Sequence, residues 1–398
     1  MEILGEMGRV ARSIVTGQGF SSSYTQPTGP TALLPPVYPF LLACVFKLFG
    51  IYTTASALTI LTLNNLFSSF TCLPIFLIAR RVFGVRVASW AGWTWAFFPY
   101  SAILSNLFVW ETTLTTLLLI LIVLATLHIE RSISLIAWVV YGLLWGFAAL
   151  TGPAVLSALP FLAVWVWVRH WRRGNNCTGA AVVASLVFLA TVAPWIWRCS
   201  QTYGRFVAFR SNFGLEILVG NSDDTSNPFN WSLLPSAGVR NNLSELEKLI
   251  RVGEPAYLAE KDHEARELVE QHPLRFAGLT LRRILYTWTG FWDLSPRSWL
   301  DDSGLPNILM YSLISLLAWT GLIRAIHDGR DGAVPLVILV VCFPLIYYIT
   351  HPEIRFRHPI DPVVVILLVY GAMSFRRQKG ESPVEEAHSG ALEESCAG

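Results

Sequence analysis

Charged side chains that could take part in a transfer reaction occur at separate places in this 398-residue chain. Glu6 and Arg9 lie in the segment EMGRVARSIVTGQGFS, on one side of a predicted short helix that Gly17 and Gly19 would end. A carboxylate can accept a proton as a general base. The alternative interpretation of this segment is a solvated chain end without a chemical role.

A second group of charges occupies the segment HPEIRFRHPIDP, which joins two apolar stretches near the C-terminus. It contains Arg355, Arg357 and His358. Guanidinium groups bind phosphate oxygens through two parallel hydrogen bonds. The segment therefore predicts a phosphate or pyrophosphate site, and the alternative is an internal salt-bridge cluster with Glu353 and Asp361.

Single acidic residues complete the set of candidates. Glu111 lies near the end of an apolar run that begins at Leu107, and an ionisable group in such a run is a functional candidate. Asp223 and Asp224 could bind a cation, although strings of this kind mostly form turns. The six cysteines show no CxxC spacing, so neither a zinc site nor a disulfide framework is predicted.

The composition is that of a membrane protein. Hydrophobic residues make up 53% of the chain and charged residues 14%, compared with about 25% charged residues in a typical soluble domain. The mean hydropathy is +0.49. The net charge of +2 gives no indication of nucleic-acid binding, since the basic residues cluster at the ends of apolar runs.

Apolar runs of about 18 residues or more match the thickness of the hydrocarbon core. Nine are predicted as spans: 56–79, 86–104, 107–128, 134–150, 153–169, 179–198, 306–325, 333–350 and 360–375. With these spans, five basic groups fall on one side, which the positive-inside rule makes cytoplasmic. They are Arg80/Arg81/Arg86, Arg131, Arg169/Arg172/Arg173, Arg324/Arg330 and Arg376/Arg377/Lys379.

The remaining polar segments are then expected to meet at one extracytoplasmic surface. Pro35–Gly50 is apolar but short, and it predicts a helix lying at the membrane interface, with Lys47 snorkelling. Helical periodicity continues through Ser244–Glu270 and Pro273–Trp288. Five regions are predicted: the first loop and juxtamembrane helix 1–55, the transmembrane bundle 56–198, a mainly helical extracytoplasmic insertion 199–305, the C-terminal spans 306–377 and a disordered cytoplasmic tail 378–398.

In their order along the chain, these segments resemble the polytopic GT-C glycosyltransferases, the superfamily of protein O-mannosyltransferases and bacterial aminoarabinose transferases. The acidic first-loop motif is matched by Glu6–Gly19. The PPLYPLLL-type helix is matched by Pro35–Gly50. The stretch APWIWRCSQTYGRFV with the following LVGN is similar to the PW-x-x-RN and GN pattern, and HPEIRFRHPIDP is similar to an R-Y/F-x-x-P turn.

The resemblance implies an all-α, polytopic integral membrane protein of a bacterial plasma membrane, acting in cell-envelope or protein glycosylation. It implies inverting transfer of a sugar from a polyprenyl-phosphate donor to an extracytoplasmic protein or glycolipid acceptor. Glu6 would be the base, and Glu111 would orient the substrate. The donor phosphate would be held by Arg355, Arg357, His358 and, more weakly, Arg9. No cofactor is expected, and nothing in the sequence shows whether a divalent metal takes part.

The chain departs from the family pattern at four places, one of which is Glu6, where many members have aspartate. The first span of the family, expected before the acidic loop, is missing, so the sequence predicts a start upstream of Met1 or a truncated product. Cys199 replaces an asparagine, and Leu33–Leu34 replaces a lysine. Two other classes of membrane protein remain open: a flippase or transporter for lipid-linked sugars, and a polysaccharide ligase or polymerase that uses such donors.

Overall fold

The computed structural model describes residues 5–24, 26–221, 242–292, 305–351 and 353–380. Asp223, Asp224 and the tail from residue 381 lie outside these ranges. The described residues are mainly α-helical, and their only β-type pairing is an isolated bridge between Ser21 and Pro30. The predicted all-α class is confirmed.

Helices α1 to α10 precede the insertion. They are α1 (Gly5–Val15), α2 (Val37–Phe49), α3 (Thr54–Phe70), α4 (Cys72–Phe83), α5 (Val85–Ala96), α6 (Pro99–Leu107), α7 (Thr112–Ile129), α8 (Leu135–Thr151), α9 (Leu159–Arg172) and α10 (Thr178–Tyr203). A 3-10 helix, Pro153–Ser157, leads into α9. The predicted helix in the first loop is confirmed as α1, and the chain turns at Gly17 with a φ of +82°.

Helices α11 to α19 form the described part of the insertion and the C-terminal bundle. They are α11 (Phe213–Asn221), α12 (Leu243–Val252), α13 (Glu254–Gln271), α14 (Pro273–Thr289), α15 (Leu305–His327), α16 (Val334–Cys342), α17 (Leu345–Ile349), α18 (Ile354–Arg357) and α19 (Asp361–Gly380). The helical periodicity predicted for the insertion is confirmed by α12, α13 and α14.

Six stretches of the described residues are long and apolar enough to cross a membrane: Thr54–Phe83, Thr112–Ile129, Thr178–Tyr203, Asn307–His327, Asp331–Ile349 and Arg355–Ser374. The predicted count of nine is therefore not confirmed. The predicted span 86–104 is divided into α5 and α6, because Pro99 begins a new helix. The predicted spans 134–150 and 153–169 correspond to α8 and α9, which have 17 and 14 residues.

The basic turns meet at one end of the bundle, around the buried carboxylate of Glu130. Arg81 lies 2.9 Å from it, Arg169 3.0 Å and Arg131 3.2 Å. Arg169 also reaches Asp331, at 2.7 Å. The turns before α5, α8, α10 and α16 thus lie together. That this end faces the cytoplasm stays a prediction.

Helices α15 and α19 approach each other closely through glycine. A Cβ atom on Gly321 of α15 would lie 2.0 Å from the carbonyl oxygen of Leu367. A Cβ atom on Gly371 of α19 would lie 2.3 Å from the carbonyl oxygen of Leu317. Small residues allow this backbone approach, which supplies packing energy between helices in lipid.

We expect Gly321→Ala to destabilise the protein by about 1–3 kcal/mol or more, because a methyl group there must push α19 away. The measurement is the thermal unfolding midpoint of the purified protein in detergent. Gly278→Ala is the matched control, since Gly278 is exposed on α14 and its Cβ would have no neighbour within 4 Å. It should leave the midpoint unchanged or raise it. Equal midpoints for the two variants would contradict the close packing.

Candidate active site

Helix α1 carries Glu6 in its first turn, where its side chain is half-buried. Burial, and then the negative charges of Glu6 and Glu254, raise the pKa of Tyr24 well above its usual range. Glu6 therefore acts electrostatically on the loop that follows α1. Arg9 holds the same loop, because its Nε donates a hydrogen bond to the carbonyl oxygen of Ser23 at 2.8 Å.

Arg198, from the PW-x-x-R stretch of α10, forms hydrogen bonds with both ends of this loop. Its guanidinium donates hydrogen bonds to the carbonyl oxygens of Phe20, at 2.6 Å, and Thr31. It also lies over the ring of Trp195, 5.1 Å from the centroid. The insertion reaches the same point, since the Thr31 hydroxyl donates to Glu254 at 2.8 Å. The sequence motif thus has a structural explanation: it positions the first loop beside the insertion.

A cavity of about 320 Å³ lies where the segment before α7, the start of α11 and the turn before α18 meet. This volume falls in the range of small-molecule sites. Apolar walls come from residues such as Phe213 and Tyr347, and the charged or titratable side chains in the lining are Glu111, Arg210, Glu216, His351 and Arg355.

Arg355 is the predicted phosphate ligand that lines this cavity. Its guanidinium carbon lies 3.9 Å from the centroid of the Trp110 ring, a cation–π contact that fixes its position. Its Nε is ion-paired with Glu353, and the side chain is only 14% exposed. Glu111 and Glu6 act electrostatically on Arg355 as well. The structure thus brings two of the predicted site residues, Glu111 and Arg355, into one cavity.

Glu111 immediately precedes α7 and lines the cavity. Its Oε2 is buried and forms no hydrogen bond with any residue that the structure describes. A buried polar atom without a partner is uncommon in native proteins and requires an explanation, of which a catalytic role is one. This observation supports the predicted functional role of Glu111 over that of a side chain that simply reaches water.

A second carboxylate in the cavity, Glu216, was not among the sequence candidates. Its carboxylate lies 3.2 Å from Nδ1 of His351 and 3.6 Å from Nη2 of Arg210, and it accepts a hydrogen bond from Asn212. Burial raises the pKa of Glu216, and the charges of Arg210 and Arg355 partly oppose that shift. Burial lowers the pKa of His351 to about 4, so this imidazole is neutral at physiological pH.

The GN pair of the LVGN stretch holds α11 against the turn that carries His351. A Cβ on Gly220 would lie 1.9 Å from the carbonyl oxygen of Thr350, so only glycine allows this approach. Arg283 of α14 donates a hydrogen bond to Asn221 at 2.6 Å and another to the Tyr348 carbonyl at 3.1 Å. Glycine and asparagine at these positions therefore maintain the shape of the cavity.

Arg357 and His358, predicted together with Arg355, have different surroundings. Arg357 is ion-paired with Asp361 at 2.9 Å and lies 3.9 Å from the centroid of the Tyr311 ring. His358 lies 3.2 Å from the other oxygen of Asp361 and stacks on Trp95. All three side chains are buried. This arrangement matches the salt-bridge alternative, and phosphate binding by these two residues stays a prediction.

Among the described residues, no three His, Cys, Asp or Glu side chains lie close enough together to form a metal site. The cavity is instead a mixed site of carboxylates and guanidinium groups. Such a site can accept a proton and can hold an anionic leaving group.

Comparisons with known proteins show what this chain is similar to. A family model described as dolichyl-phosphate-mannose-protein mannosyltransferase matches residues 34–197. The archaeal oligosaccharyltransferase AglB from Archaeoglobus fulgidus, solved with an inhibitory peptide and a dolichol-phosphate, has a similar structure. The TM-score is 0.57 and the sequence identity is 13%, and the match covers 100% of this chain and 48% of AglB. The chain has the GT-C fold. The predicted recognition as a GT-C membrane protein is confirmed, and the family model agrees with the predicted glycosyltransferase class.

Two further solved structures were similar to parts or all of this chain, and no curated sequence was. The Archaeoglobus fulgidus oligosaccharyltransferase tethered with an acceptor peptide gives a TM-score of 0.55 at 14% identity, over 94% of this chain and 45% of that one. The chain thus spans about half the length of these solved proteins. ArnT from Cupriavidus metallidurans bound to undecaprenyl phosphate gives a TM-score of only 0.41, at 15% identity over 93% and 73% of the two chains. No curated protein sequence matches the chain.

Proposed function

We propose that this GT-C protein is a membrane glycosyltransferase that moves a sugar from a polyprenyl-phosphate donor to an acceptor outside the cytoplasm, with inversion at the anomeric carbon. The observation that carries the proposal is the cavity that Glu111, Arg210 and Arg355 line together. The fold supports it, since the similar archaeal protein was solved with a dolichol-phosphate.

In this proposal the acceptor group attacks the anomeric carbon while Glu6 takes its proton. The new glycosidic bond forms as the bond between the anomeric carbon and the phosphate oxygen breaks. Polyprenyl phosphate leaves with the electron pair of that bond. A positioned carboxylate base contributes about 10²–10⁴-fold to such a step.

Arg355 and Arg210 receive the departing phosphate in this proposal, since both line the cavity. Positive groups that are already in place stabilise the developing charge without the cost of reorganising solvent. Glu111, with its unpartnered oxygen, orients the acceptor. Arg357 and His358 then serve to hold the turn that positions Arg355, and Arg9 positions the first loop.

The location of the site follows from the same proposal. The first loop, residues 1–55, and the insertion, residues 199–305, form the extracytoplasmic face, where an acceptor protein or glycolipid is recognised. The tail is then cytoplasmic, on the side of the basic turns.

The test uses the protein reconstituted in liposomes with a set of radiolabelled polyprenyl-phosphate sugars. We expect one labelled donor to be consumed, with release of polyprenyl phosphate and transfer of the label to an acceptor or to water. If no donor is consumed but labelled lipid changes leaflet, the protein is a flippase and the proposal is wrong.

A further inference from the structure

A second and larger cavity, of about 630 Å³, opens at the basic end of the bundle. Helices α5, α15 and α19 and the turn after α15 enclose it. None of its lining residues belongs to the candidate active site. The residues that matter for its chemistry are Arg86, Trp90, Arg324, Arg330, Leu368 and Met373.

The charges in this cavity do not balance. Its lining contains three arginines and a single carboxylate, that of Asp328. The carboxylate is already bound, because Tyr370 donates a hydrogen bond to it and Arg324 lies 4.0 Å away. Neither Arg86 nor Arg330 forms an ion pair with a carboxylate in the part of the chain that the structure describes. Both side chains are exposed and add two uncompensated positive charges.

Most of the uncharged lining is apolar, and its polar members are Thr94, Tyr370 and Ser374. Trp90, one turn along α5 from Arg86, is 59% exposed. Leu368 and Met373 line the cavity from α19. Phe83 and Tyr370 also line it, and their rings stack with centroids 4.1 Å apart. Cationic groups therefore lie directly beside an apolar wall, between helices of a membrane protein.

We propose that this cavity binds an anionic phospholipid, with the phosphate group on Arg86 and Arg330 and the upper part of the acyl chains along Trp90 and α19. Basic pockets between membrane helices favour anionic head groups, and each arginine near the surface contributes about fivefold in affinity. An exposed tryptophan at the membrane interface suits the boundary between head group and chain. A soluble anion would gain no binding energy from the apolar wall.

The experiment measures lipid binding to the delipidated full-length protein in detergent by native mass spectrometry. Phosphatidylglycerol and phosphatidylcholine with identical acyl chains are the two probes. We expect the wild type to prefer phosphatidylglycerol by about 30-fold, the combined contribution of the two arginines. Arg86→Gln combined with Arg330→Gln should lower phosphatidylglycerol binding by about 30-fold and leave phosphatidylcholine binding nearly unchanged.

The matched control combines Arg131→Gln with Arg172→Gln, which removes the same charge from the same end of the bundle but outside the cavity. It should keep the preference for phosphatidylglycerol. Ala372→Phe fills the cavity without changing charge and should also lower phosphatidylglycerol binding, so the test does not depend on the double variant remaining folded.

Three results would overturn the proposal. One is a wild type without preference between the two lipids. Another is an equal loss of binding in the cavity variant and the control, which would show diffuse electrostatic attraction. The third is full displacement of the lipid by soluble glycerol phosphate, which would show an ion site that does not use the apolar wall.

Discussion

Replacing Glu6 with glutamine is expected to lower the rate of sugar transfer by about 10²–10⁴-fold, the usual contribution of a general base. Glutamine has the same shape as glutamate but does not accept the acceptor's proton. Since the phosphate contacts remain, the KM for the donor should change little. The measurement is kcat and KM for the labelled donor in liposomes, with the thermal unfolding midpoint as the test of folding.

The control is Glu267→Gln, because Glu267 is an exposed carboxylate on α13, far along the chain from the first loop. It should leave both kinetic constants unchanged. Full activity of Glu6→Gln would exclude Glu6 as the base. That result would favour the ligase or polymerase class, in which arginine and histidine rather than a carboxylate are expected at the reacting centre.

The helices could be predicted well because membrane spans and amphipathic helices follow directly from hydrophobic periodicity. α1, α2 and α12 to α14 lie where their patterns predict them. The break between α5 and α6 was missed, since the apolar run continues through it and only Pro99 marks it. Hydropathy alone does not separate one long span from two shorter helices.

The site could be predicted only in part. Glu111 and Arg355 stand out because each is a charge beside an apolar run, and the structure places both in one cavity. Glu6 stands out only through the resemblance to the acidic first-loop motif. Glu216 and His351 gave no such signal. They lie more than a hundred residues apart, and their 3.2 Å contact depends on how α11 packs against the turn after α17. Local patterns carry no information about a pairing of that kind.

The two arginines of the IRFR segment show a further limit of prediction from the sequence. Arg355 and Arg357 are equivalent by residue type, and the sequence offers both as phosphate ligands. In a helix each residue turns the chain by about 100°, so side chains two positions apart point to nearly opposite sides. α18 places Arg355 on the cavity and Arg357 on buried Asp361. Only the start of that short helix decides which arginine faces the cavity.

This difference gives the second large prediction. Arg355→Lys is expected to lower kcat/KM for the donor by about 10²–10³-fold, as the loss of a positioned charge-stabilising donor does. Lysine keeps the charge but has neither the planar fork that binds two phosphate oxygens nor the flat surface that lies on Trp110. Part of the loss should appear as a raised KM, because Arg355 holds the phosphate of the bound donor. The rest should appear as a lowered kcat, because Arg355 stabilises the charge that develops on that phosphate.

Arg357→Lys is the comparison that separates the two arginines. Its side chain is buried with Asp361, so a poorly fitting replacement should lower the thermal unfolding midpoint. Breaking such a buried pair completely costs about 3–5 kcal/mol. At temperatures below the unfolding midpoint of this variant, the KM for the donor should stay close to the wild-type value. If Arg357→Lys instead raises the donor KM and Arg355→Lys does not, the phosphate binds on the Asp361 side of the turn. The cavity beside Trp110 would then have to serve the acceptor, since both arginines are fixed by aromatic rings and only one of them can face the leaving group.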